Sequence, residues 1–227
     1  MYNNTIRKME EKKPKRIGIF MGSFDPIHVG HIAAIMKVIN EKKVDYVVIL
    51  PCKSNPSKDY EPESLEHRIE MIKCIDVDNY QSIGISEVDT KLKPDPDGKF
   101  YSYKSLELAE ADINGCGNFD PNPELYIIAG TDVALDIPNW KNSEEILNKY
   151  KIINIDRPGY SVYDDVDGLE VSSTEIRKMI KAGKNPIPYV TAEVWHYIKE
   201  NGLYGLKKPE EEQTDYSVPD SGTTGTI

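Results

Sequence analysis

The sequence predicts an α/β fold in which a parallel sheet is covered by helices on both faces. Short apolar runs rich in β-branched residues recur at 16–20, 45–50, 125–129 and 151–155. Longer segments with helical periodicity lie between them, at 31–40, 65–75 and 103–111. Short apolar strands that alternate with helices are typical of a parallel sheet buried on both sides. Ligands bind beyond the carboxyl ends of the strands in such folds, so functional residues are expected just after each run.

The chain of 227 residues has the length of a single domain, which we place at 16–205. Residues 1–15 are polar and lysine-rich, and they predict a flexible N-terminal segment. The acidic, polar composition after Gly205 predicts a disordered acidic tail at 206–227. Prolines and an Asp-Gly pair predict an exposed turn or hairpin tip at 91–100, and a loop rich in glycine, asparagine and proline is expected at 114–123.

The composition restricts the class of partner. The formal net charge is -10 at pH 7, and a diffuse anionic surface disfavours a nucleic acid polymer. Cys52, Cys74 and Cys116 lie far apart, which fits a reducing compartment and predicts no metal site in the protein itself. The polar N-terminus lacks the apolar stretch of a signal peptide, and no run approaches the roughly 20 residues that span a bilayer. We therefore expect a cytoplasmic protein without a membrane partner, and whether it forms a homo-oligomer stays open.

The first candidate site follows the first strand and opens the first helix, at Gly22-Ser23-Phe24-Asp25-Pro26-Ile27-His28-Val29-Gly30-His31. Gly22 lets the backbone approach a ligand because it has no Cβ, and a helix N-terminus favours an anion. His28 and His31 share one face of a helical turn, where two imidazoles can stabilise charge on phosphate oxygens. Two ordinary surface histidines, or a metal site with Asp25, are the alternatives. The glycine, the proline and the strand–helix context favour a phosphate cradle.

The second candidate site begins a late helix, at Ser172-Ser173-Thr174-Glu175-Ile176-Arg177. Ser172 and Glu175 form a capping box, which explains those two residues structurally. Ser173 and Thr174 add hydroxyls at the same helix end, and Arg177 can reach back over it because helical side chains lean toward the N-terminus. Hydroxyls, amides and a guanidinium in one place suit the outer phosphates of a triphosphate. A single phosphate site in the domain would bring the two segments together.

Together the two segments resemble the HxGH nucleotidyltransferase superfamily. Within it, the chain is most similar to bacterial nicotinate-nucleotide adenylyltransferase, which moves AMP from ATP to nicotinate mononucleotide and gives deamido-NAD and pyrophosphate in NAD biosynthesis. The resemblance extends from about residue 16 to residue 204. Its further marks are His67-Arg68, Ser102-Tyr103, Gly130-Thr131-Asp132 with Trp140 eight residues beyond Asp132, Arg157-Pro158-Gly159-Tyr160, and the stretch from Tyr189-Val190 through Asn201-Gly202-Leu203-Tyr204.

The resemblance implies a Rossmann-like parallel sheet and direct transfer without a covalent enzyme intermediate, with Mg²⁺ bound alongside ATP. It implies that His28, His31 and Arg177 are catalytic and contact the ATP phosphates. The other implied ATP-binding residues are Gly22, Ser23, Phe24, Gly130, Asp132, Ser173 and Thr174. The implied acceptor-binding residues are Lys58, Ser102, Tyr103, Lys104, Asp132 and Trp140. Trp140 would stack on the pyridine ring, and its structural alternative is a core aromatic.

The chain departs from the family pattern at three places. The family usually has Pro-His-Lys where this chain has Pro56-Ser57-Lys58, and the usual Thr after Ser-Tyr is Lys104, in the part that recognises the nicotinate group. The stretch 91–100 resembles an insertion. These departures concern the acceptor rather than the transfer chemistry.

Several other functions compete with this reading. Phosphopantetheine adenylyltransferase has features similar to Asn55-Pro56-Ser57-Lys58, but it is usually shorter and lacks the Gly-x-Asp…Trp and Gly-Leu-Tyr marks. A nicotinamide mononucleotide adenylyltransferase differs by one charge on the acceptor. A non-catalytic nucleotide-binding regulator is a candidate from another class, although it would not need to keep charge-stabilising groups. No P-loop pattern occurs in the sequence.

Overall fold

A computed structural model describes residues 13–53, 61–75, 81–155 and 171–209. Its sheet has five strands in the order β3-β2-β1-β4-β5, and every strand pair is parallel. The strands are β1 (Arg16–Gly22), β2 (Tyr46–Pro51), β3 (Ile83–Ile85), β4 (Glu124–Gly130) and β5 (Lys151–Ile155). The predicted parallel sheet is therefore confirmed. The short β3 had not been predicted.

Seven α-helices connect or flank the strands in the described part of the chain. They are α1 (Val29–Asn40), α2 (Leu65–Lys73), α3 (Ser102–Gly115), α4 (Thr131–Asp136), α5 (Ser143–Lys149), α6 (Ser173–Lys181) and α7 (Ala192–Glu200). Short 3-10 helices in the same described ranges lie at Val88–Lys91, Ile137–Asn139 and Leu203–Gly205. Hydroxyl side chains begin three of the α-helices: Ser64 caps α2, Ser172 caps α6 and Thr191 caps α7. No helix among the described residues is both long and apolar enough to cross a membrane.

Four expectations from the sequence lie wholly or largely outside the described residues. They are the flexible segment predicted at 1–15, the acidic tail predicted at 206–227, Lys58, and the Arg157-Pro158-Gly159-Tyr160 mark. Of the two terminal segments, only 13–15 and 206–209 are described.

Side chains of the strands alternate between two apolar cores, as a sheet covered on both faces requires. In β1, Ile17 and Ile19 face the core formed with α3 and α5, whereas Phe20 faces the core formed with α1, α2, α6 and α7. Strand β2 repeats the pattern. Gly18 lies where strands β1 and β4 are tightly packed, since a Cβ there would stand 2.5 Å from Cδ1 of Ile128. The helices on both faces confirm the predicted fold class.

The order of the strands fixes where a ligand can enter. β1 lies in the middle of the sheet with β2 on one side and β4 on the other, so the chain changes direction across the sheet at β1. The pairing of β1 with β4 ends at Phe20 and Ile128, two residues before Gly22 and Gly130 respectively. The carboxyl ends of neighbouring strands at such a switch point leave a crevice that binds nucleotides in doubly wound sheets. Both glycine-containing segments therefore lie at the ligand-binding edge.

The stretch predicted as an exposed turn differs from the prediction in one respect. A tight turn is present, in which the backbone N–H of Gly98 donates to the carbonyl of Asp95. Asp95 itself, however, is only 5% exposed. Its carboxylate is covered because it pairs with lysines from two other segments, which the local sequence does not reveal.

Candidate active site

The loop between β1 and α1 is held in a compact form by its own aromatic residue. Phe24 is 2% exposed and has a φ of 48°, a conformation that is uncommon outside glycine. A Cβ at Gly22 would stand 3.0 Å from Cζ of Phe24, so the glycine lets the ring fold back under the strand end. The side chain of Phe24 supports the loop from the core. Its predicted contact with ATP stays a prediction.

The two histidines form a stacked pair at the start of α1. His28 is the residue just before the helix, and its ring centroid lies 3.7 Å from that of His31 with 26° between the ring planes. The backbone N–H of His28 donates to Nδ1 of His31 at 3.3 Å. A neutral His31 therefore carries its proton on Nε2, which makes that nitrogen a donor. The pair lies where a helix N-terminus already favours an anion.

The late segment folds directly onto this loop. Ser173 donates its hydroxyl to the carbonyl of Pro26 at 3.0 Å, and Arg177 donates from one guanidinium nitrogen to the carbonyl of Asp25 at 2.6 Å. The other terminal nitrogen of Arg177 donates to Oγ1 of Thr174 at 3.1 Å. Arg177 thus reaches back over the start of α6, as expected from the direction of helical side chains. The structure brings together the two segments that the sequence separates by more than 140 residues.

Asp25 and Tyr204 join the 3-10 helix at Leu203–Gly205 to the same loop. From the sequence, Asp25 was considered only as a ligand in the alternative metal site, and no role was predicted for Tyr204. Asp25 is 1% exposed, and its Oδ1 accepts a hydrogen bond from the hydroxyl of Tyr204 at 2.8 Å. Its Oδ2 lies 3.6 Å from the Arg177 guanidinium. Burial, and then the nearby Asp25 charge, raise the pKa of Tyr204 well above its usual range, so this hydroxyl remains a donor. Tyr204 belongs to the Gly202-Leu203-Tyr204 mark of the family resemblance, and only this mark pointed to it in the sequence.

The structural role of Arg68 was also not predicted from the sequence. It is 1% exposed, and its guanidinium donates to the carbonyls of Ser23 and Cys52, each at 2.8 Å. These carbonyls follow β1 and β2 respectively, and a further bond to the Glu63 carbonyl at 2.9 Å joins the side chain to the segment just before α2. The planar guanidinium therefore sets the spacing between two loops at the ligand-binding edge.

Part of the predicted acceptor set, among the residues that the structure describes, lies on the other face of the sheet. Tyr103 and Trp140 both pack against the core that contains Leu106 and Ile146. Ser102 begins α3, and the hydroxyl of Tyr103 lies 3.2 Å from Oδ2 of Asp95. Trp140 is partly exposed, and its indole N–H donates to Asp136 at 3.1 Å. Core packing thus accounts for part of the Trp140 ring, and its stacking on a substrate stays a prediction.

Gly130 and Asp132 lie between these two groups of residues. Gly130 ends β4 and precedes the first turn of α4, where Asp132 is exposed and Thr131 is buried. This position at the switch point agrees with the expectation that the segment contacts a nucleotide. Among the described residues, no group of three or more His, Cys, Asp or Glu side chains is arranged to hold a metal ion.

Known proteins resemble this chain over most of its length. The cytidylyltransferase-like family matches residues 19–179. A Clostridium tetani protein named probable nicotinate-nucleotide adenylyltransferase is 32% identical over 210 residues, which cover 84% of this chain and 99% of that protein. The nicotinate-nucleotide adenylyltransferase of Bacillus subtilis is 32% identical over 199 residues, with 84% and 98% of the two chains covered.

The fold is also that of solved structures. The nicotinic acid mononucleotide adenylyltransferase of Plasmodium falciparum, complexed with NaAD, superposes with a TM-score of 0.66 at 21% identity and covers 85% of this chain and 98% of that one. The sheet order, the histidine pair and the arginine at the start of α6 define a nucleotidyltransferase with a Rossmann-like sheet. The chain belongs to the cytidylyltransferase-like family and, within it, to the nicotinate-nucleotide adenylyltransferases.

Proposed function

We propose that this protein transfers AMP from ATP to nicotinate mononucleotide, forming deamido-NAD and releasing pyrophosphate. The observation that carries the proposal is the contact of the Asp25–His31 loop with Ser173 and Arg177, which supports a single polyphosphate site. The relatives named for this activity align with this chain over 99% and 98% of their own length. The proposed reaction belongs to NAD biosynthesis, and its dependence on ATP agrees with the predicted cytoplasmic location.

The donor end would work by positioning and by stabilising charge. An oxygen of the acceptor's 5′-phosphate attacks the α-phosphorus of ATP, and the bond from that phosphorus to the β-phosphate's bridging oxygen breaks as pyrophosphate leaves. The nucleophile is already anionic, so no general base is required. His28 and His31 would donate to the phosphate oxygens where charge accumulates, and Arg177 would hold the leaving pyrophosphate.

The other assigned residues would orient the two substrates. Ser173 and Thr174 hydroxyls and the Gly22–Ser23 backbone would contact the donor phosphates, and Gly130 and Asp132 would meet a ribose. Ser102, Tyr103, Lys104 and Trp140 would surround the acceptor's pyridine ring, with Lys58 near its phosphate. Mg²⁺ would arrive with ATP, since this ion commonly keeps several waters and binds through substrate phosphates.

Nicotinamide mononucleotide is the second candidate acceptor, because it differs from nicotinate mononucleotide only in an uncharged amide. The discriminating experiment supplies ATP with nicotinate mononucleotide, nicotinamide mononucleotide or phosphopantetheine in separate reactions. Pyrophosphate release and the dinucleotide product are measured by chromatography. We expect the highest kcat/KM with nicotinate mononucleotide. Turnover only with phosphopantetheine would overturn the proposal.

The His28→Ala variant tests whether the same site performs the chemistry. We expect kcat to fall by roughly 10²–10⁴-fold, the scale of losing a positioned proton or charge partner. A variant that keeps kcat within about threefold of the wild type would remove His28 from the mechanism.

A further inference from the structure

A carboxylate from the 92–101 turn lies between two lysines of the acceptor side. The side chain of Asp95 is only 3% exposed and forms ion pairs with Lys104, from α3, and with Lys141, at 2.5 Å. The hydroxyl of Tyr103 contacts the same carboxylate. Hydrogen bonds from Lys104 and then Lys141 lower the pKa of Asp95 to about 2, so the group is ionised at neutral pH.

Aromatic rings lie beside the ammonium group of Lys141. Nζ of Lys141 lies 4.4 Å from the ring centroid of Tyr101 and 5.9 Å from that of Tyr103. Lys141 directly follows Trp140, which packs with Tyr103 on the same apolar core. The lysine side chains are 32% and 44% exposed, so solvent reaches them although the carboxylate between them is covered.

Two lysines that pair with one carboxylate have the chemistry of an anion-binding site. The lysine ends of these ion pairs are partly exposed, so the ordering of two long side chains and screening by solvent offset part of the attraction. Two ammonium groups, of which that of Lys141 lies beside aromatic rings, match a flat aromatic ring that bears a carboxylate. The cluster also lies where α3 begins and where the segment after β4 returns, which is the ligand-binding edge of the sheet.

We propose that the Asp95 carboxylate occupies, in the free protein, the place that the acceptor's ring carboxylate takes when it binds to Lys104 and Lys141. The inference rests on the proposed function, since it assumes a pyridine nucleotide acceptor. Asp95 is then a tethered competitor that the acid displaces and the amide does not. The two lysines favour the carboxylate of nicotinate over the amide of nicotinamide. The turn that carries Asp95 determines how strongly the Asp95 carboxylate competes with that of the acceptor.

The Asp95→Asn variant tests the exchange because it removes the competing charge while keeping the shape of the side chain. If only a fraction of the free protein exposes the lysines, the apparent affinity is reduced by that fraction. We expect KM for nicotinate mononucleotide to fall by at least about threefold, with KM for ATP and for nicotinamide mononucleotide unchanged. A KM for the acid that stays the same or rises, or an equal shift for both acceptors, overturns the proposal.

Asp97→Asn is the matched control. Asp97 belongs to the same turn, but it accepts its hydrogen bonds from the hydroxyl of Tyr101 and the backbone of Lys99. Its replacement should leave KM for both acceptors as in the wild type. A fall in KM for the acid equal to that of Asp95→Asn would show that loosening the turn, rather than freeing the lysines, is responsible.

Two further variants keep the proposal testable if Asp95→Asn folds poorly. Lys104→Gln and Lys141→Gln should each lower the preference for nicotinate over nicotinamide mononucleotide by about tenfold, the scale of one lost charge-assisted hydrogen bond. An unchanged preference in both overturns the inference. Calorimetric titration of nicotinate mononucleotide into the wild type and Asp95→Asn separates this inference from the proposed function. Tighter binding to the variant without turnover in either protein would contradict only the proposed reaction.

Discussion

Asp25 is the residue at which three separate parts of the chain meet. Asp25 lies on the loop that carries His28. Its side chain accepts a hydrogen bond from Tyr204, and its backbone carbonyl accepts one from Arg177. The carboxylate is buried, so each donor that it loses leaves polar atoms unsatisfied away from water. The position of the phosphate loop therefore depends on the 3-10 helix at Leu203–Gly205.

Tyr204→Phe removes one of those donors without changing the packing of the ring. We expect the free energy of unfolding to fall by about 1.5–3 kcal/mol, the usual range for a hydrogen bond to a charged group. Urea denaturation of the variant measures this loss. Tyr189→Phe is the control, because Tyr189 is 39% exposed and its replacement should change stability by less than about 0.5 kcal/mol. Equal losses in the two variants would count against the importance of the Tyr204–Asp25 bond.

At the scale of single elements, the beginning of α1 must bring its backbone close to a second segment. Gly30 lies in its first turn, where a Cβ would stand 3.0 Å from Cγ1 of Val171 and 3.1 Å from the His28 ring. Glycine is therefore required by the approach of its neighbours, although alanine would be the better helix former. Glycine at position 30 lowers the intrinsic stability of α1 but leaves room for the imidazole of His28.

Gly30→Ala should separate activity from stability. The added methyl displaces the His28 ring, and small misplacements of catalytic groups can cost about 10²-fold, so we expect kcat to fall by roughly 10–100-fold. The midpoint of thermal unfolding should change little, because helix propensity offsets the crowding. Gly115→Ala in α3 is the matched control, since nothing lies within 4 Å of its added Cβ. If Gly30→Ala kept the wild-type kcat, as Gly115→Ala should, the close packing of Gly30 against His28 would not be needed for catalysis.

The elements also show what local sequence can and cannot predict. Strands β1, β2, β4 and β5 were predicted because their apolar runs bury both faces, but β3 has three residues and too little pattern. His28, His31 and Arg177 were found because glycine, proline and capping signals surround them. Arg68 was noted only as a mark of the family resemblance, and its role could not be predicted because its partners are backbone carbonyls at the ends of other strands. Asp95 likewise reads as a turn residue until Lys141, 46 residues away, is placed beside it.

At the scale of the whole molecule, ionisable groups predict how stability depends on pH. A hydrogen bond from Arg16 lowers the pKa of Asp45, and Lys104 and Lys141 lower that of Asp95 to about 2. Such carboxylates add stability above the unfolded pKa of about 4, and that stability is lost as pH falls toward their folded pKa. Burial raises the pKa of Tyr150 and Tyr204, so their contribution is present below about pH 10 and is lost as pH rises above it.

We therefore expect a plateau of stability between about pH 5 and pH 9, with a decline on each side. Urea unfolding midpoints measured from pH 3 to pH 11 test this profile. Asp95→Asn should flatten part of the acid limb and leave the alkaline limb unchanged. A midpoint that rose between pH 5 and pH 3 would contradict the assignment of these carboxylates.

The sheet separates two apolar cores, and the candidate functional residues are divided between them. The histidines and Arg177 belong to helices on one core, whereas Tyr103 and Trp140 belong to the other. Changes in the second set need not disturb the first, so the preference for an acceptor can diverge while the AMP-transfer machinery is inherited intact. Transplanting 92–104 together with 140–141 from a relative is accordingly a rational route to a new acceptor range.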